Sequence, residues 1–451
     1  MSELPKGWVK TELQSLFVFV IGGDWGKADD FTERGYEDVY CIRGSEFRNW
    51  NKEKGVTASH RKVKASSLEK RKLELGDILI EISGGGPDQP VGRTVLIDEA
   101  SLANNPEFPK VCTNFLRLTR PSVDVDSRYL NYFLRHFYLS GEVVRYQGGS
   151  NNLRNLKFKE YSKIDVMLAP YNEQIRIANK LDTLLVKVDK AQARLDKIPT
   201  ILKRFRQAVL AAATSGELTG VTIKEWKVEK LSSLADKIVD CPHSTPKWTD
   251  EGKLCVRTTA FKPFKLDLTD QKFVSEETYI KRVSRLKPEE NDILYSREGA
   301  ILGIACQIPK GVELCLGQRM IVIRAGENID PKYLTIVLNS PVITDFVKSL
   351  TIGNAAPRIN MSVIRDFNIP YPNMEIQKEI VRSVEKLFSL ADRVETKYSH
   401  SKNQLDKLTQ STLAKAFRGE LVTQDPNDES AELLLERIIA AKSNARTKSK
   451  K

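Results

Sequence analysis

The stretch IANKLDTLLVKVDKAQARLDKIPTILKRFRQAVLAAATSGEL, residues 177–218, decides the fold. Its apolar residues Ile177, Leu181, Leu184, Val188, Ala191, Leu195 and Ile198 step by alternating fours and threes, and Leu202, Phe205 and Val209 continue the register. That is the 3.5-residue period of a coiled-coil seam. Gly216 supplies the stop, because glycine enters the left-handed cap conformation without steric cost. Pro199 interrupts the run, and a proline inside a helix removes a hydrogen bond, so a kink or restart is expected there. Some 45 helical residues would extend roughly 65 to 70 Å at about 1.5 Å each.

The same helix occurs twice. From Gln174 onward, Gln174/Gln377, Ile177/Ile380, Leu184/Leu387, Asp189/Asp392 and Gly216/Gly419 all share an offset of 203. The second seam runs Ile380, Val384, Leu387, Ala391, Val394, Tyr398, Leu405 and Leu408, with Ser401 as a polar interruption. Upstream of each helix the repeat persists at drifting offsets, 218 for Trp8/Trp226, 214 for Arg43/Arg257, 215 for Asp77/Asp292 and 204 for Tyr129/Tyr333. Drift of that kind marks loops that have gained and lost residues around a shared frame. Short β-rich runs such as Val39–Ile42, Ile78–Ile80 and Met320–Ile323 alternate with Gly, Pro and Asn breakers, which predicts two mixed α/β globules. Two matched seams in one chain most simply bury each other.

Of 451 residues, 41% are hydrophobic and 29% charged. No apolar run approaches the roughly 18 to 20 residues that cross a bilayer. MSELPKGW has neither the basic start nor the apolar stretch of a secretory signal, and the six cysteines form no CxxC pair, so a reducing cytoplasm is expected. The formal charge of +12 favours polyanions such as nucleic acid, although an ordinary basic protein would carry it too. The closest approach to a phosphate-binding loop, Ile21 to Ala28, lacks the first glycine and the Ser/Thr, and Asp98-Glu99-Ala100 has no such loop to serve. The four histidines are scattered and Cys241-Pro242-His243 is too small a cluster for zinc. No nucleophile, acid and base set is visible. The chain is read as non-catalytic, without catalytic or metal-binding residues.

A pair of similar frames with different loops suits a bipartite, asymmetric DNA target, since identical modules would read a palindrome. The tandem pattern resembles the specificity subunit of type I restriction-modification enzymes, most closely the enteric type IA group. The motifs that carry the resemblance are Leu4-Pro5-Lys6-Gly7-Trp8, Ala169-Pro170-Tyr171-Asn172-Glu173-Gln174 and LKRFRQAVLAAATSGELT, then Ile369-Pro370-Tyr371-Pro372 and LTQSTLAKAFRGELV. Ile376 departs from it, standing where the family often has Glu before Gln377. The resemblance implies an α/β fold of two target recognition domains joined by two long antiparallel coiled-coil helices in a pseudo-two-fold tandem repeat. Its divisions would be residues 1–170 for the first recognition domain, 171–220 for the first helix, 221–371 for the second domain, 372–424 for the second helix and 425–451 for a terminal helix and basic tail. It also implies one half-site per domain with an unspecified spacer set partly by helix length. The implied partners are double-stranded DNA, two methyltransferase subunits and restriction subunits. S-adenosylmethionine, ATP and magnesium would sit on those partners and no cofactor in this chain. A coiled-coil adaptor, or a DNA-binding regulator with no methyltransferase partner, is the competing reading.

Candidate DNA contacts follow from position. Arg43 and Arg257 close matched β-runs and would reach guanine or phosphate, or else make surface salt bridges. Ser83 and Gly84, and Ser296 and Arg297, lie in loops that admit close backbone approach, or are simply tight turns. Asn151, Arg154, Asn354 and Arg358 precede the helices at matched places, and Asn and Arg suit adenine and guanine edges. His243, Ser244, Thr245 and Lys247 form a loop near phosphate or a solvated one. Gly216, Glu217, Leu218, Gly419, Glu420 and Leu421, at the helix ends, are expected to dock the modification subunits.

Overall fold

The computed structural model describes residues 4–86, 89–149, 153–221, 223–299, 301–351 and 357–448. The chain divides into two compact units: one comprises residues 1–193 and 401–451, the other residues 194–400. Each contains the same frame. In the first, a four-stranded antiparallel sheet is ordered Phe17–Gly22, Leu116–Pro121, Ile78–Glu81, Thr94–Leu96. In the second, the order is Ala235–Asp240, Met320–Ala325, Ile293–Ser296, Ala305–Gln307. Beside each lies a parallel pair, Tyr36–Ile42 with Lys110–Cys112 and Lys253–Val256 with Cys315–Leu316, in which Cys41 faces Val111 and Cys255 faces Cys315. A two-stranded ribbon closes each globule where the long helix begins, Val9–Glu12 with Asp165–Leu168 and Lys227–Lys230 with Asn368–Tyr371. The strands are buried because their apolar runs face both layers, so Ile78, Leu79 and Ile80, and equally Ile293 and Leu294, are inaccessible.

The first long helix does restart at the proline. Tyr171–Leu195 is followed by Ile198–Ser215, with Pro199 in the first turn, where a missing N–H costs nothing. The second runs unbroken over 43 residues, Met374–Ala416. Gly216 caps the first end at φ +85°, and Gly419, three residues beyond Ala416, turns the chain at φ +73°. Ile177, Leu181, Leu202 and Val209 are buried along the first seam, as are Ile380, Val384 and Ala391 along the second. Val394 and Leu408, expected in the second seam, are exposed. Tyr398 and Leu405, expected there too, are half-buried, as is Thr409, so the seam is only partly covered after Ala391. Within the second unit, Arg206 bridges the two helices through Asp392 and Glu395, at 2.5 and 2.9 Å.

The helix ends belong to the globules in a way the repeat alone did not reveal. The end of the second helix fills the core of the first globule: Phe417 packs edge-on against Tyr129 and Phe133, each 5.3 Å away, and stacks on His136. Leu413 and Ala416 share that core, together with Ala431, Leu434 and Ile438 of the terminal helix Ala431–Lys448. Correspondingly, Val209, Leu210 and Ala213 from the end of the first helix enter the second globule's core beside Trp226 and Tyr333. Burying side chains of this size stabilises by roughly 1.5 to 3 kcal/mol each.

Polar clamps fix each helix start. Gln174, fully buried, accepts from the Asp126 N–H at 3.0 Å and donates to the Ala169 carbonyl at 2.8 Å. Gln377 does the same for Asp330 and Pro372. Asp126 and Asp330 are themselves the caps of matched helices, Ser127–Leu139 and Pro331–Asn339. One clamp is asymmetric. The Trp8 indole donates to Glu173 at 3.0 Å, whereas the buried Trp226 indole has no partner among the described residues, since Ile376 occupies the position matching Glu173.

Burial raises the Glu173 pKa, a cost the Trp8 hydrogen bond only partly offsets. A proton is then held more tightly in the folded chain than in the unfolded one. The stabilisation from Glu173 is therefore fully present below the ordinary glutamate pKa and is lost as pH rises through the raised value. Glu173→Gln, which keeps an acceptor for Trp8, should remove that pH dependence from urea unfolding of the first unit. Glu173→Ile should cost about 1 to 3 kcal/mol, the penalty of a buried donor left unmade. Equal stability of the two variants at every pH would contradict the clamp.

Candidate nucleic-acid interface

In each unit, three loops and a pre-helix segment meet at one rim of the frame. In the first, the central strand continues into Ser83–Gly85, which pairs with Arg154–Leu156 so that Asn155 faces Ser83 and Arg154 faces Gly85. The Ser83 hydroxyl donates to the Asn155 side chain at 2.6 Å. The Ile82 N–H donates to the Phe115 carbonyl at 2.9 Å, tying in the turn that precedes Leu116–Pro121. Gly23 packs under the same turn: a Cβ there would lie 2.2 Å from the Cys112 carbonyl oxygen, so only glycine fits. Arg71 holds the Gly22 carbonyl from the side, at 2.8 Å. Gly84, at φ +107°, opens to free space.

The second unit builds the same rim from different residues. Arg297 donates its N–H to the Arg319 carbonyl, Gly299 to Pro357 and Ile359 to Arg297, each at 3.0 Å, so that the backbone of Glu298 faces that of Arg358 in an antiparallel pair. Arg282 is buried and donates to the Leu316 and Gly317 carbonyls at 2.7 and 2.9 Å and to that of Ser244. Gln318 donates to the His243 carbonyl and accepts from Thr245. Arg319 sits at φ +69°, a left-handed conformation that costs a residue with a Cβ roughly 1 to 2 kcal/mol. Its side chain is 61% exposed and its nearest carboxylate, Glu298, is 4.0 Å away.

The loops that the sequence set apart are thus brought together: Ser83 and Gly84 lie beside Arg154, and the Arg297 loop beside Arg358. Other expectations are corrected. Ser296 is fully buried, its hydroxyl bonded within its own loop to Ile301 and Ile304, so no base can reach it. Arg297 is buried too, held by Asp240 at 3.0 Å and the Ile359 carbonyl at 3.1 Å, which makes it a brace and not a reader. Arg43 is tied back to the buried Glu46 at 2.6 Å, and Arg257 to Asp270 at 2.8 Å, although both guanidinium groups keep substantial exposure. Asn151 and Asn354 lie outside the described residues. At the helix ends, Gly216 and Gly419 abut Val221 and Pro5 of their own units, and Leu218 and Leu421 pack on their own cores. Those four are consumed internally, leaving Glu217 and Glu420 outward, the latter paired with Arg418. The sequence reading did not single out Asn114-Phe115 or Gln318-Arg319. The signal was available: the offset of 204 that aligns Tyr129 with Tyr333 also aligns these two turns, whose residues differ.

Residues 223–400 match the family model described as the type I restriction modification DNA specificity domain. The chain is 28% identical to the EcoKI specificity subunit of Escherichia coli K12, over 97% of this chain and 96% of that one. It is 31% identical to the EcoBI specificity subunit of Escherichia coli, over 79% of this chain and 78% of that one. Among solved structures, a chain from work on complex assembly and conformational transition of the type I R-M system superposes with a TM-score of 0.69 at 16% identity, covering 93% of this chain and all of that one. The HsdS subunit from Thermoanaerobacter tengcongensis gives 0.53, also at 16%, over 93% of this chain and 99% of that one. At such identities the superpositions speak for the fold.

The separation of braces from surface groups is measurable. Arg297→Met leaves the largely buried Asp240 with His243, at 3.2 Å, as its remaining partner among the described residues, and should cost the second unit about 1 to 3 kcal/mol in urea unfolding. Arg358→Met, at an exposed position, should change stability by no more than about 0.5 kcal/mol. Equal effects would contradict the assignment.

Proposed function

This chain belongs to the family of type I restriction enzyme specificity subunits, and from that premise we propose that its two rims read the two halves of one asymmetric, interrupted DNA target. The observation that carries this reading is the pairing of a superimposable hydrogen-bond frame with unlike residues at the rim. Ser83, Asn155 and Phe115 in one unit stand where Glu298, Arg358 and Arg319 stand in the other. Two like frames with unlike tips read two different half-sites. Arg154 and Arg358, one in each pre-helix segment, are assigned to phosphate or base contact, with Gly84 allowing close backbone approach and Ser83, Arg43 and Arg257 alongside. The chain itself is the non-enzymatic member of the complex. Methyltransferase subunits, carrying S-adenosylmethionine, flip and methylate adenine N6 within the bound site. Restriction subunits add ATP- and magnesium-dependent cleavage of unmodified DNA. The outward-facing Glu217 and Glu420 mark the surfaces where the modification subunits dock. The complex works in the cytoplasm, where the DNA is.

Co-expression with the methyltransferase subunit, followed by single-molecule mapping of N6-methyladenine, should reveal one split, non-palindromic motif with a fixed gap. Exchanging residues 221–371 for those of another family member should change one half of that motif and leave the other intact. A contiguous palindrome, or a swap that alters both halves, would overturn the reading. Arg154→Ala and Arg358→Ala should each weaken binding; a phosphate contact would lower the salt slope of log K by about one.

A further inference from the structure

We infer that the matched turn residues Phe115 and Arg319 are specificity determinants that read base edges in the major groove, Arg319 a guanine and Phe115 a thymine methyl. The inference rests on the reading above, that each rim faces DNA. Both residues occupy the tip of the turn between the parallel-paired strand and a central strand of the four-stranded sheet. Below the tips, the Thr113 and Gly317 N–H groups donate to Ile42 and Val256 of the neighbouring strand, at 2.9 and 2.8 Å. Beside them, the Ile82 and Arg297 N–H groups clamp the carbonyls of the tip residues themselves. The buried Arg282 grips two turn carbonyls from behind. A turn immobilised on three sides presents its side chain at a fixed place, which is the requirement for reading an edge instead of brushing a backbone.

The side chains themselves indicate the chemistry. Phe115 is 54% exposed and belongs to no core cluster among the described residues. Its ring is thus a rigid apolar surface at the mouth of the first rim, the partner that a thymine C5-methyl takes in the major groove. Arg319 holds an unfavourable left-handed backbone in a turn where Gly317 is its neighbour but one, and strain of this kind gathers at functional sites. Among the described residues Glu298, 4.0 Å from Nε, is the one carboxylate near its guanidinium, which leaves the outer edge of the planar fork to bridge guanine O6 and N7. Its amide neighbour Gln318 is, by contrast, spent on the 243–245 loop, and so stiffens the turn.

The test uses the full chain assembled with its methyltransferase subunits and the target found by methylation mapping. Duplexes carry 2′-deoxyuridine in place of each thymidine, removing only the methyl, or 7-deazaguanine in place of each guanine, removing only N7. The wild-type complex should lose about tenfold or more in affinity at one thymine of one half-site and one guanine of the other. Phe115→Ala should be blind to the first change and Arg319→Ala to the second, with each methylating sites relaxed at that base pair alone. Arg319→Asn, which tolerates the left-handed backbone, should behave like Arg319→Ala and so exclude a collapsed loop as the cause. Variants that weaken all sequences equally and lower the salt slope would make these phosphate contacts and overturn the inference, as would variants with unchanged discrimination. A half-site lacking the required thymine or guanine would overturn the matching assignment. A wild-type complex that discriminates among no sequences would instead remove the underlying reading, and the inference with it.

Discussion

Phe417, wedged among Tyr129, Phe133 and His136, is the contact on which the architecture depends. It comes from the last tenth of the chain and completes the core of the first globule. Leu210 and Ala213 do the same for the second globule from the end of the first helix. Neither globule's core is complete within its own copy of the repeat. The tandem repeat is therefore closed out of phase, with each copy's helix ending in the other copy's domain. The chain's ends are drawn together as a result: the Ala431 N–H donates to the Gly7 carbonyl at 2.8 Å, and Asp428 pairs with Arg176 at 2.6 Å.

Much of this was legible in the sequence because it is local. A 3.5-residue period, a proline within it and a glycine after it fix a helix, its restart and its end within a few turns, and all three are found. The constant offset of 203 marked the rigid part and the drifting offsets marked the loops. Which globule each helix end would fill was not legible, since a repeat specifies two equivalent partners and only packing chooses between them. Val394 and Leu408 show a second limit. Period alone placed them in the seam with Tyr398 and Leu405, yet those two are half-buried while Val394 and Leu408 are exposed.

At the rim, position was legible and role was not. The sequence singled out Ser83, Gly84, Arg154, Arg297 and Arg358, whose loops the fold brings together at the rims, but it could not reveal that Asp240, 57 residues before Arg297, waits to neutralise that guanidinium in the interior. A buried carboxylate decides whether an arginine braces or reads, and its identity is a tertiary fact. The same holds for Ser296, whose hydroxyl is taken by its own loop. The turns bearing Phe115 and Arg319 carried no motif at all. They are distinguished only by occupying the same place in two frames that otherwise agree, and difference against a constant frame is what reading two unlike half-sites demands.

Hydrogen exchange on the assembled methyltransferase, with and without its target duplex, addresses the claim that each unit reads one half-site. The full target should protect segments 82–85, 113–116 and 154–156 together with segments 297–299, 317–319 and 357–359. A duplex with one half scrambled should abolish protection of one set and spare the other. Loss of both sets when either half is scrambled, or protection confined to a single unit on the intact target, would contradict the account.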